Sequence, residues 1–103
     1  MQDLLEVPEK DRDQERIIGI VFDISPAQAA VVSCLCRSQV LTGQEILEFT
    51  GAKSQIKSTI SHTRSRLREF GLDIKSKPEV GYWMTADDKR AVGKMVQDFL
   101  EDV

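Results

Sequence analysis

Between Lys53 and Lys77 the chain gathers Lys53, Lys57, Arg64, Arg66, Arg68, Lys75 and Lys77 against only Glu69 and Asp73, whereas the whole 103-residue chain carries a net charge of −3. Cations concentrated on one stretch of an acidic chain make a directed positive field, for which a polyanion is the natural counterpart. Set among them are Ser54, Ser58, Ser61, His62 and Ser65. Their short hydroxyls and single imidazole can donate and accept hydrogen bonds at close range. The chemistry this implies is the gripping of phosphates and the reading of base edges rather than bond breaking. An ordinary solvated helix face mixes both signs of charge, yet no acidic residue occurs from position 53 to position 68.

Other chemistries find little support in the sequence. His62 is the only histidine, and with no second candidate group paired with it in sequence a base or phosphate contact suits it better than a pH switch or a catalytic base. Cys34 and Cys36 sit two apart on a predicted helix, where their side chains diverge by roughly 200° and cannot easily bridge. They read as packing residues, and no metal set or phosphate-cradling glycine loop accompanies them. We expect no catalytic residues, no metal and no cofactor.

The elements that must position the basic stretch are marked by their ends. Ser25-Pro26 starts a helix predicted to run to about Arg37, with Ala27, Ala30, Val31, Cys34 and Leu35 facing a core. Thr42-Gly43-Gln44-Glu45 is a capping box opening a short helix, with Ile46, Leu47 and Phe49 inward and Gly51 at its close. A third helix, capped by Ser54, should end at Phe70 because Gly71 can take the left-handed conformation. Stepping 100° per residue places Ile56, Ile60, Thr63, Leu67 and Phe70 on one narrow apolar face. The serines and His62 fall opposite, with Lys57, Arg64 and Arg68 on one edge and Arg66 on the other. Residues 72–76 and 81–84 read as two strands of an antiparallel hairpin joined through Lys77-Pro78-Glu79-Val80. Thr85 caps a last amphipathic helix whose apolar stripe is Val92, Met95, Val96, Phe99, Leu100 and Val103.

The remaining stretches set the domain plan. Residues 1–16 are rich in acidic side chains and read as a flexible arm, and the β-branched residues 17–22 read as a strand. Residues 17–84 then form one domain, with 85–103 as a C-terminal helix that packs on it or makes a dimer. At 41% hydrophobic content the chain suits one core, and no apolar run approaches the roughly 20 residues of a membrane span. Without an apolar leader in its first residues, the expected location is the cytoplasm.

Helix, short capped helix, basic helix and hairpin, in that order, predict an α+β winged helix-turn-helix with a three-helix core, a C-terminal hairpin wing and an extra C-terminal helix. A helix about 10 to 12 Å across fits the major groove of duplex DNA. The segment Ile24-Ser25-Pro26-Ala27-Gln28, followed by Val40-Leu41-Thr42-Gly43-Gln44-Glu45-Ile46-Leu47, resembles the opening of the DNA-binding effector domain of OmpR/PhoB-type response regulators. Ser65-Arg66-Leu67-Arg68 is similar to the recognition-helix signature of that family, and residues 74–84 with Gly81-Tyr82 are similar to its wing. The resemblance covers about residues 20–85 and implies double-stranded DNA as partner, with recognition helix 54–70 in the major groove and wing 74–84 on the backbone or minor groove. RNA polymerase or a co-regulator is the further partner if the acidic arm and the C-terminal helix serve as a protein-binding surface. The departures matter too: no receiver domain accompanies the match, the loop after Gly51 is short, and Pro78-Glu79 stands where the family has an arginine-glycine pair.

The expected DNA-binding residues are therefore Lys53, Ser54, Lys57, Ser58, Ser61, His62, Arg64, Ser65, Arg66, Arg68, Lys75 and Lys77. The expected dimer contact is a homodimer through the C-terminal stripe. The function read from the sequence is sequence-specific DNA binding by a small stand-alone bacterial or phage transcription regulator. Two alternatives stay open at this point: a winged-helix module that binds proteins, and an architectural DNA-binding protein.

Overall fold

The computed structural model describes residues 12–51 and 56–102. Lys53, Ser54 and Val103, together with residues 1–11, lie outside the described residues, and so does the serine cap expected for the third predicted helix. The order is α1 (Arg12–Phe22), α2 (Pro26–Cys36), α3 (Gly43–Thr50), α4 (Ile56–Arg68), β1 (Lys75–Lys77), β2 (Gly81–Trp83) and α5 (Ala86–Glu101). This is an α+β arrangement of five helices and one two-stranded antiparallel sheet. No single helix is long and apolar enough to cross a membrane among the described residues.

The largest correction concerns residues 17–22, which are helix rather than strand, and residues 12–16, which open that helix rather than ending an arm. The β-branched run misled because its neighbours decide the matter. Arg12, Gln14, Glu15 and Arg16 are good helix formers. Glu15, Ile18 and Phe22 recur at three and four residues and are all buried. Gly19 lets α1 approach the α1–α2 connection and the first turn of α2 closely, since a Cβ there would stand 3.3 Å from the carbonyl oxygen of Ile24 and 3.7 Å from the Ala29 side chain. Tertiary packing on α2 outweighs the local preference for strand.

Helix α2 is the centre of the molecule and packs against α1, α3 and α4. Every residue from 29 to 35 is buried, so it presents a core face all round, while Ala27, expected inside, is exposed. Its start is a full capping box: the Ser25 hydroxyl accepts from the Gln28 N–H at 3.2 Å, and the Gln28 side chain accepts from the Ser25 N–H at 2.9 Å. The same reciprocal pair joins Thr42 and Glu45 ahead of α3, at 3.1 and 2.8 Å, and Gly51 closes that helix at φ 72°. Ile46 and Phe49 are buried as expected, and Leu47 is half-buried.

Helix α5 begins behind the Thr85 cap and lies against α1. Its Val92 is buried, and the half-buried Met95 and Val96 pack against the core. Phe99 is half-buried; Leu100, at 47% exposure, remains open. The Lys89 ammonium donates to the Ser38 carbonyl, tying α5 to the end of α2 as well. The last helix is thus part of the same body.

The hairpin pairs Lys75 with Trp83, Ser76 with Tyr82 and Lys77 with Gly81. Pairing starts later than expected, because the Ile74 N–H donates to the Asp73 carboxylate at 2.8 Å instead of entering a ladder. Leu72 and Ile74 still point inward and are buried. The hairpin also docks on the segment before α3: Leu41 and Tyr82 exchange both backbone hydrogen bonds, at 3.0 and 2.8 Å. Its turn holds Glu79 at φ 67°, a conformation that costs a side-chain-bearing residue about 1 kcal/mol. Glu79→Gly should therefore raise stability by about 0.5 kcal/mol in urea titration, the strain relieved outweighing the glycine's greater unfolded-state entropy.

Candidate nucleic-acid interface

Helix α4 is held by its apolar face, where Ile60, Thr63 and Leu67 are buried and Ile56 packs at the margin of the core. The Thr63 hydroxyl is satisfied by donating to the Thr59 carbonyl at 2.6 Å. Phe70, expected on the same face, is 38% exposed and instead stands edge-on to Phe22, with ring centroids 4.9 Å apart. Gly71 follows at φ 78°, in the left-handed conformation expected of it. This seating turns Lys57, Ser58, Ser61, His62 and Ser65 outward, all exposed. On the adjoining hairpin, Lys75, Ser76 and Lys77 are exposed without exception. The candidates divide between two sides of α4: Lys57 shares a groove with Ser76 and Lys77 of the hairpin, whereas His62 and Ser65 line a shallow depression with Asp23, Ile24, Gln28, Arg66 and Glu69 beside the α1–α2 connection.

The arginines behave differently, and their contacts could not be read from charge alone. Arg64 donates from Nε to the Ile74 carbonyl at 2.9 Å and from a terminal nitrogen to the Ser76 hydroxyl at 3.3 Å, so it staples the hairpin to the helix. Arg68 donates from Nε to Asp73 at 3.3 Å. Arg66, on the opposite edge, donates to the Phe22 carbonyl at 2.9 Å and pairs with Asp23 and Glu69, each at 3.0 Å. It satisfies a carbonyl in the last turn of α1 that has no partner within its own helix.

Arg66 is accordingly a joint between α4 and α1. Its two carboxylate partners are 90% and 61% exposed, so those ion pairs contribute little in water, and the part-buried bond to Phe22 carries most of its worth. Arg66→Ala should cost about 1 kcal/mol by urea titration.

A groove of about 510 Å³ runs between the hairpin and the start of α3 and is lined by Thr42, Gly43, Lys57, Ser76, Lys77 and Tyr82 among others. The first-turn N–H groups of α3 and the two lysine ammoniums bring the same sign of charge to it, and Glu79 is the one acid on its lining. The contributions of Thr42, Gly43, Ser76 and Tyr82 were missed in the sequence.

The cysteines are chemically quiet. Burial pushes the Cys34 thiol up to about 12 and the Cys36 thiol up to about 11, so both stay protonated at neutral pH. Neither is then a nucleophile. No cluster of side chains suited to a metal ion occurs among the described residues. Comparison with known family models, with curated proteins and with solved structures finds no match.

Proposed function

We propose that this protein binds double-stranded DNA, inserting α4 into the major groove and resting the β1–β2 hairpin on the neighbouring backbone or minor groove, in the manner of a winged helix-turn-helix. The observation that carries this reading is the outward face of α4. From Lys57 to Ser65 it offers short hydroxyls, one imidazole and a lysine, with no acidic side chain. Small polar side chains let a helix backbone approach base edges closely, and hydroxyls pair with donors and acceptors alike. Lys57, Lys75 and Lys77, all toward the hairpin edge of α4, suit phosphates on that side of the groove.

The arginine contacts support the same division of labour. Arg64 fixes the hairpin against α4, so helix and wing meet DNA as one rigid surface, and little ordering entropy is lost on binding. Transcription regulation is the role we infer for such a module. RNA polymerase or a co-regulator would then be a further partner, and a homodimer would use the part of the α5 stripe left open around Leu100.

Fluorescence anisotropy with a labelled duplex at several salt concentrations tests the reading. Three to four phosphate contacts predict a slope of log affinity against log salt of about −3 to −4, hence on the order of a 50-fold or greater loss between 50 and 200 mM salt. A duplex that fails to bind at the lowest salt would refute it.

A further inference from the structure

Asp73 occupies the junction of α4 and β1, and three cations converge on it. One carboxylate oxygen accepts from the Ile74 N–H at 2.8 Å and from Arg68 Nε at 3.3 Å, with Arg64 Nε at 3.6 Å; the other lies 3.8 Å from the Lys75 ammonium. The Asp73 N–H in turn donates to the Asp88 carboxylate at 3.1 Å, which fixes the residue's backbone to the start of α5. The three cations differ in how firmly they are held. Arg64 has two further acceptors on the hairpin and a side chain only 26% exposed, whereas Arg68 and Lys75 are 61% and 48% exposed.

Resting on the DNA-binding reading above, we propose that Asp73 is an intramolecular competitor for phosphate, holding Arg68 and Lys75 until a nucleic-acid phosphate displaces it from them. A carboxylate and a phosphate accept from guanidinium and ammonium groups in the same way, so one can stand in for the other. The exposed pairs are weak enough to exchange in water. Arg64 stays on Ile74 and Ser76 through the exchange, so the wing keeps its seat while Arg68 and Lys75 change partners. The consequence is a protein that holds back two of its cations from polyanions that do not present a phosphate at this junction.

The test compares the wild-type chain with Asp73→Asn and with Asp98→Asn, which makes the same change in net charge on α5, beside Lys94. Affinity for a 20-base-pair duplex of random sequence is read at low salt. Asp73→Asn should bind about tenfold more tightly than wild type, as two cations are released to phosphates, while Asp98→Asn should change affinity less than twofold. Equal affinities for the two variants, or weaker binding by Asp73→Asn, would overturn the proposal. Asparagine keeps an oxygen to accept from the Ile74 N–H, and a measurement on the wild type stands beside the variant. On saturating with duplex, the Arg68 Nε–H resonance should shift and that of Arg64 should stay; an unmoved Arg68 resonance also overturns the proposal. If neither wild type nor Asp98→Asn binds duplex at all, the functional reading itself falls, and this inference with it.

Discussion

Gly81→Ala is expected to lower stability by about 3 kcal/mol, a fall in the melting midpoint of roughly 15 °C, through a steric conflict that no side-chain adjustment relieves. Gly81 has φ 128°, a region essentially closed to residues with a Cβ. A Cβ at this position would stand 2.5 Å from the Leu41 carbonyl oxygen, 2.9 Å from its carbon and 3.2 Å from the Thr42 nitrogen. All three neighbours are backbone, and that backbone exchanges two hydrogen bonds with Tyr82 and leads directly into the Thr42 capping box. The hairpin must therefore lift away, exposing Leu41, Ile74 and Met84, which are now 3% or less exposed. Gly93→Ala is the control, since a Cβ there meets nothing within 4 Å and the position lies inside α5. It should stabilise by about 0.5 to 1 kcal/mol. Thermal and urea unfolding of the two variants check both signs.

On the proposed docking of α4 in the major groove, Ser61→Glu should reduce duplex affinity on the order of 100-fold at about 0.1 M salt while leaving the fold intact, because a carboxylate there would meet phosphates and base-edge acceptors. The position is exposed and lies at the middle of the outward face. Glutamate is a better helix former than serine and has Lys57 four residues before it, so stability should hold or rise slightly. Ser61→Ala should cost only one neutral hydrogen bond, about tenfold at most. A Ser61→Glu variant that melts like wild type and binds like wild type would remove α4 from the interface.

How far the sequence predicts this structure depends on whether the deciding interaction is local. Ser25-Pro26, Thr42 with Glu45, and Thr85 mark helix starts because a cap is made within three residues, and Gly51 and Gly71 mark ends for the same reason. The register of α4 was legible because Ile60, Thr63 and Leu67 repeat with the helical period. Residues 17–22 were not, because packing of Ile18 and Phe22 against α2 settles a segment whose own preferences point to strand. Within the candidate interface, the wheel placed Arg64, Arg68 and Arg66 on the correct edges. It could not reveal that Ile74, Asp73 and Phe22 wait at those edges to accept from them, since these partners lie 5 to 44 positions away along the chain.

Whether α4 and β1 form the proposed DNA-contacting surface is tested by amide chemical-shift mapping by NMR during titration with a duplex. The largest shifts should fall on Lys57, Ser58, Ser61, His62, Ser65, Lys75, Ser76 and Lys77, with α1 and α5 little changed. Shifts concentrated on α1 or on the outer face of α5, with the α4 serines unmoved, would contradict it.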